Sequence, residues 1–358
     1  MHTSSIFAQL MINWYHIYGR KKLPWQIKKT PYKIWLSEIM LQQTQVKTVI
    51  PYFNIFIQKF PNINSLQSAS INEVLHLWSG LGYYTRAKNL YKTIKIISEK
   101  YNNQFPNNFT DLIKLPGIGK STAGAILSLS FGYYYPILDG NVKRIITRYY
   151  AICAAINEKK TEKKLWKIIN NITPLYNTGK FNQAMMDLGS LICTRIKPKC
   201  HICPLHVNCI AYLQKKCEFF PKKNKKKNIL KKTFYFLILQ YNHFVFLKKR
   251  PDHGIWANLF SFPEFYKEIN LISWMQGKKI KKNEKLIIDP FYHRLTHLKL
   301  YIVPIYVNIT ILQKNNINRK YSIWYNLIEP QSIGLSSPVK KILKKLLIFQ
   351  KNTQETII

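Results

Sequence analysis

A chain of 358 residues with 47% hydrophobic content can build about two cored domains, which argues against disorder of the whole. Lys and Arg total 55 against 16 Asp and Glu, a formal charge of +39 that points to a polyanionic partner such as nucleic acid. Lys, Asn, Ile, Tyr and Phe are abundant together, as an A/T-rich coding sequence would also produce, so the charge permits such a partner without proving it. The longest apolar stretches, residues 123–138 and 234–247, are short and interrupted, which excludes a membrane-spanning reading. Without a signal-peptide pattern, the expectation is a cytoplasmic protein with no membrane partner, acting as a monomer.

In chain order, residues 4–17 read as an amphipathic helix with a Thr/Ser start, and Thr30-Pro31 caps a helical run reaching Phe60. Helical segments are expected at 71–78, 86–101, 111–115, 121–130 and 162–172, making residues 1–216 an all-α domain. A lysine-dense stretch after Pro221 marks a linker, placed at 217–232. The period then changes: residues 233–239 and 244–247 flank Asn242-His243 as a hairpin, with further strands at 285–288 and 298–307. A helix opening at Ser337-Pro338 closes a small α+β domain spanning 233–350, before a tail at 351–358.

Six cysteines, four of them within seventeen residues, suit a metal site in a reducing compartment better than disulfides. Cys193, Cys200, Cys203 and Cys209, separated by six, two and five residues, converge on one compact loop able to hold a tetrahedral or cubane centre. Zinc is the rival, although zinc ribbons usually use two Cys-x-x-Cys knuckles far apart and only Cys200 and Cys203 form such a pair here. His201 and His206 read as loop residues, and Cys153 and Cys217 as ordinary structural cysteines. Arg195, Lys197 and Lys199, between the first two ligands, would project from a stapled loop toward phosphates. Upstream, residues 115–121 (LPGIGKS) join two helices as a helix-hairpin-helix, where Gly117 and Gly119 allow backbone amides to approach an anion at a helix N-terminus.

In residues 23–25 (LPW), 38–46 (EIMLQQTQV), 80–84 (GLGYY), 138–144 (LDGNVKR) and 181–189 (FNQAMMDLG), in the hairpin and in the cysteines, the chain resembles adenine DNA glycosylases of the MutY type, within the endonuclease III superfamily. The resemblance implies a mostly α, helix-hairpin-helix glycosylase domain with a [4Fe-4S] cluster on the four loop cysteines. It also implies a C-terminal α+β Nudix-like domain, met at residues 250–262 (RPDHGIWANLFSF).

Base excision passes through an oxocarbenium-like sugar, so it needs a proton for the leaving base and a negative charge near the ring. Glu38 is the only acid between Pro31 and Phe60 and lies among Trp35, Leu36, Ile39 and Met40, which should raise its pKa. Asp139 by composition is a helix N-cap. The resemblance instead makes Glu38 the acid that protonates adenine N7 and Asp139 the group that stabilises the cationic sugar, with Asn141 and Asp187 in support. Gln43 and Tyr83 match wedge positions that fill the gap left by an extruded base. Strand-cutting relatives carry a Schiff-base lysine where this chain has Ser121, which predicts a monofunctional enzyme. The rival is a pyrimidine-damage glycosylase with lyase activity on the same scaffold.

The implied substrate is duplex DNA with adenine opposite 8-oxoguanine or guanine, read by the second domain. No Glu-Glu pair occurs, so that domain is expected to recognise rather than hydrolyse. Where the family's reading loop has Phe-Ser-His, this chain has Leu295-Thr296-His297; Thr296 and His297 keep hydrogen-bonding groups while the aromatic stack is lost. Discrimination of 8-oxoguanine from guanine is therefore expected to be retained but weaker.

Overall fold

The computed structural model describes residues 6–156, 158–222, 229–278, 288–296, 298–309 and 321–355, with side chains to residue 350. Contacts between Cα atoms divide the chain into two compact units: Met1–Ser68 with Asn89–Lys225, and Ala69–Lys88 with Lys226–Ile358. The division differs from one cut near residue 216, because residues 69–88 group with the C-terminal part.

The helices of the chain are α1 (Ile6–Tyr18), α2 (Pro31–Leu41), α3 (Val46–Lys59), α4 (Ile63–Gln67), α5 (Ile71–Trp78), α6 (Thr85–Tyr101), α7 (Phe109–Leu112) and α8 (Lys120–Ser130). They continue with α9 (Gly140–Tyr149), α10 (Lys159–Ile172), α11 (Thr178–Leu191), α12 (Ile210–Leu213), α13 (Glu268–Gly277) and α14 (Ser337–Glu355). Local chemistry starts several of them. The Thr30 hydroxyl accepts the Lys33 N–H at 3.2 Å with Pro31 at the first helical position, and Asn62 and Ser70 each form a reciprocal capping box.

The expected run from Thr30 to Phe60 is two helices. The chain breaks at Gln43, whose φ of 57° no helix interior accepts, and resumes at Val46. In the first unit α11 packs on α1, α8 and α9, and α2 packs on α8. An added Cβ at Gly124 would meet the Pro136 carbonyl oxygen at 2.6 Å, so only glycine lets α8 pass this close to the segment that leads into Asp139.

Among the described residues the second unit carries a seven-stranded mixed sheet: β1 (Leu230–Tyr241), β2 (Phe244–Lys249), β3 (Phe260–Ser261), β4 (Glu264–Phe265), β5 (Phe291–Arg294), β6 (Leu298–Asn308) and β7 (Ser322–Asn326). Its main order is β3-β2-β1-β6-β5, with β4 on β1 and β7 on β2. β1 and β2 form the expected hairpin through Asn242 at φ 51°, and β1 runs parallel to β6 from Leu230 opposite Leu298 to Gln240 opposite Asn308. Leu237, Leu239, Phe246, Ile305 and Val307 bury one face against Leu271 and Met275 of α13. The expected strand at 285–288 lies outside the described residues except for Ile288. Residues 217–222 are folded rather than free linker: Phe220 is buried, its carbonyl accepts Arg148 Nε–H at 3.1 Å, and Lys222 forms a bridge with Ala155. Among the described residues no helix is long and apolar enough to cross a membrane.

Candidate active site and cysteine cavity

The first unit holds two carboxylates with contrasting surroundings. Glu38 sits on α2 between Trp35, Leu36, Ile39 and Met40, all essentially without solvent contact, and its carboxyl meets no hydrogen-bond donor among the described residues. Removal from water, reinforced by the nearby Asp139 charge, pushes its pKa up to about 8. Asp139 is the N-cap of α9: one carboxylate oxygen accepts the N–H groups of Asn141 (3.0 Å) and Val142 (2.8 Å), and the other accepts Asn141 Nδ2 at 3.0 Å. Burial raises Asp139 as well, while these bonds and the Arg144 guanidinium oppose the rise. The capping role and the candidate catalytic role are thus one arrangement, in which the cap fixes the anion.

Three neighbours hold that arrangement. Ser121 Oγ accepts the Leu138 N–H at 3.0 Å, bracing the residue before Asp139. Arg144 donates to Asn141 Oδ1 (2.8 Å), the Gly189 carbonyl (2.6 Å) and the Cys193 carbonyl (2.7 Å), tying the cap to α11 and to the cysteine loop. A Cβ on Gly189 would lie 2.4 Å from Asn141 Cβ, so glycine is required where α11 meets α9. Asp187 is spent elsewhere. Fully buried, it accepts Arg20 N–H (2.7 Å), Nε (2.9 Å) and Nη2 (2.7 Å) together with Gln183 Nε2 (3.0 Å), so it locks residue 20 to α11. Arg20 and Arg144 carry much of this architecture, and neither stands out in the sequence, where both look like two more cations in a basic chain.

The hairpin loop turns at Gly117 (φ 80°) and enters α8 through Gly119; both glycines are exposed, and the Gly117 carbonyl accepts Gln42 Nε2 at 3.3 Å. The Lys120 ammonium lies 3.9 Å from the Trp166 ring centre, in a cation–π contact that commits it away from a nucleophile's role. Gln43 is exposed at its turn.

In the cysteine loop, Cys193, Cys200, Cys203 and Cys209 line one small cavity, and Cys217 lines it with them. Cys217 is therefore not the unrelated structural cysteine expected from the sequence: its Sγ lies 3.6 Å from Cys200 Sγ. Cys153 is exposed. The buried Arg148 donates to Cys193 Sγ at 3.3 Å and to the carbonyls of Thr194 (2.7 Å), Arg195 (3.2 Å) and Phe220, so a fixed cation stands beside the thiols. Among the described residues no group of three or more His, Cys, Asp or Glu is set to hold a single metal ion. The loop backbone is held by Lys199 N–H to the Ile192 carbonyl (2.9 Å) and Lys197 N–H to Glu218 (3.2 Å), leaving the Arg195, Lys197 and Lys199 side chains exposed.

In the second unit Tyr83, at φ 47° and 42% exposed, brings its hydroxyl within 3.1 Å of the Thr296 hydroxyl, in the turn between β5 and β6. Arg86 stacks over the Tyr83 and Trp78 rings at 5.2 and 5.5 Å, and Tyr84 donates to the Leu335 carbonyl at 3.0 Å. His297 lies outside the described residues. Glu264, the nearest thing to a metal-binding acid on the sheet, is ion-paired with Arg250.

Residues 36–171 match the HhH-GPD superfamily of base excision DNA repair proteins, and residues 234–345 match the NUDIX domain. An adenine DNA glycosylase of Buchnera aphidicola subsp. Baizongia pistaciae is 55% identical over 348 residues, covering 97% of this chain and 98% of the relative. One from subsp. Schizaphis graminum is 53% identical over 345 residues, 96% and 99% of the two chains. A thermostable thymine-DNA glycosylase structure aligns with 59% of this chain and 97% of its own at 26% identity, with a TM-score of 0.54.

Proposed function

The chain belongs to the adenine DNA glycosylase family and hydrolyses the N-glycosyl bond of adenine in base-excision repair; we propose that Glu38 supplies the proton and Asp139 the negative charge. The observation that carries this is the contrast between the two carboxyls, one in an apolar, donor-free setting and one held by three N–H donors. Protonated Glu38 donates to adenine N7, the bond from the sugar to the base breaks with its electron pair going to the base, and the cationic ring faces the Asp139 carboxylate until water adds at the anomeric carbon and gives its proton to the Glu38 carboxylate. Asn141 orients Asp139.

Ser121 offers no amine for a Schiff base and its hydroxyl is engaged by Leu138 N–H, so the product is an abasic site. The substrate we infer is duplex DNA with adenine opposite 8-oxoguanine or guanine. Gly117, Gly119, Arg195, Lys197 and Lys199 contact phosphates, Gln43 and Tyr83 fill the stack left by the extruded base, and Thr296 and His297 read the opposite base.

The cavity thiols fit a [4Fe-4S] cluster on Cys193, Cys200, Cys203 and Cys209: several sulfurs line one small space, with a guanidinium at hand to offset thiolate charge. When bound, the cluster would cross-link the loop that presents Arg195, Lys197 and Lys199. Purified protein should contain about four iron and four sulfide per chain; stoichiometric zinc would overturn the assignment. For the activity, duplexes with adenine opposite 8-oxoguanine, guanine or thymine are incubated with the protein and then treated with alkali. Strand breaks should appear only after alkali and fastest opposite 8-oxoguanine. Breaks before alkali, with an imine trapped by borohydride, would refute the monofunctional reading.

A further inference from the structure

The cavity holds one thiol more than a four-ligand cluster uses. Cys217 arrives by a reversal after α12: Lys215 takes φ 55°, and Lys216 N–H returns to the Ala211 carbonyl at 2.8 Å. Arg148 anchors this segment through the Phe220 carbonyl while donating to Cys193 Sγ, so one buried side chain sets Cys217 and a ligand together. The result is a sulfur 3.6 Å from that of Cys200, inside the same cavity.

We propose that Cys217 is a spare ligand, able to take over the iron position assigned to Cys200. The exchange balances without an oxidant. Cys217 releases its thiol proton as its sulfur bonds iron, and Cys200 takes up a proton as its own bond to iron breaks, with no electron transferred. Among the described residues the close sulfur contact of Cys217 is with Cys200 and not with Cys203, so Cys203 should have no substitute.

The inference rests on the cluster assignment, and the test separates the two. Wild type, Cys200→Ala, Cys203→Ala and the double variant Cys200→Ala with Cys217→Ala are purified anaerobically, and iron, sulfide, visible absorption and the electron paramagnetic resonance of the reduced protein are measured. We expect Cys200→Ala to keep more than half of the wild-type iron with a shifted resonance, and Cys203→Ala and the double variant to lose the cluster. A wild type without iron and sulfide sinks the cluster reading itself. A clustered wild type with Cys200→Ala as empty as Cys203→Ala sinks only the spare-ligand proposal, as does a double variant that stays loaded. Should Cys200→Ala fail to fold, a short bifunctional thiol reagent is applied to wild type stripped of iron and kept reduced. A Cys200–Cys217 cross-link found by peptide mass mapping supports the proposal, and its absence overturns it.

Discussion

The two units place their polar groups in opposite ways. In the helical unit the functional side chains are immobilised by backbone: Asp139 by two N–H groups of its own helix, Arg144 and Arg148 by carbonyls from distant segments. In the sheet unit the Tyr83 and Thr296 hydroxyls meet at exposed positions, and the Glu264 carboxylate is neutralised by Arg250. A group that must stabilise a transition state gains from being fixed before reaction, whereas a surface that discriminates between two bases needs accessible donors and acceptors. On the proposed function, this contrast gives the chemistry to the helical unit and the reading of the opposite base to the sheet unit.

The sharpest test of that contrast removes the two carboxyls. Glu38→Gln and Asp139→Asn should each slow excision by about 10²–10⁴-fold in single-turnover assays while duplex affinity stays near wild type. A parallel loss of binding would mean that the pair shapes the fold rather than the reaction. Next in size is Arg144→Met, which leaves four acceptors, the carbonyls of Gly140, Gly189 and Cys193 and Asn141 Oδ1, without this donor. Of these contacts the one to Asn141 Oδ1 bears on Asp139, and its loss, at about 1–3 kcal/mol, corresponds to a rate loss of roughly 10–100-fold, with the effect on Asp139→Asn much smaller because both changes disturb one arrangement.

Acidity gives a third handle. Glu38 must carry its proton to act, so the excision rate should fall about tenfold per pH unit once pH passes about 8. The stability effect has a definite sign. Because the folded-state pKa is raised from the ordinary 4.5 to about 8, the stability is fully present below about pH 4.5 and is lost progressively as pH rises from there through about 8. Glu38→Gln should therefore melt above wild type at pH 9, roughly 2–4 °C for each kcal/mol regained, and lose that advantage in acid. A rate flat to pH 10 would remove Glu38 from the role of acid.

Much of this was legible from residue types. The helical first half, the β1–β2 hairpin, the closing helix, and the isolation of Glu38 and Asp139 follow from periodicity, turn chemistry and the scarcity of acids. What escaped is long-range. The parallel pairing of β1 with β6 joins segments 68 residues apart at their starts, and no local pattern announces it. The grouping of Ala69–Lys88 with the sheet depends on contacts such as Tyr84 to Leu335, 251 residues away. The spacing of Cys217 continues no motif, and only the reversal at Lys215 carries it back to Cys200. The Thr30–Phe60 run hid its break, since glutamines at 42, 43 and 45 suit a helix by propensity.

The smallest expected effect tests the reading half. Tyr83 and Thr296 share one exposed hydrogen bond, and such a bond contributes about 0.5–1.5 kcal/mol net. Tyr83→Phe and Thr296→Val should each reduce the preference for adenine opposite 8-oxoguanine over adenine opposite guanine by only a few-fold. Since both remove the same contact, the double variant should fall little further than either single one. On the proposed reading, in which Thr296 meets the opposite base and the Tyr83 hydroxyl steadies it, the loss should appear in the 8-oxoguanine substrate and leave the guanine substrate near its wild-type rate. Equal slowing on both substrates would make the hydroxyl pair a brace for the β5–β6 turn, and the reading of the opposite base would then fall to other groups of the sheet unit.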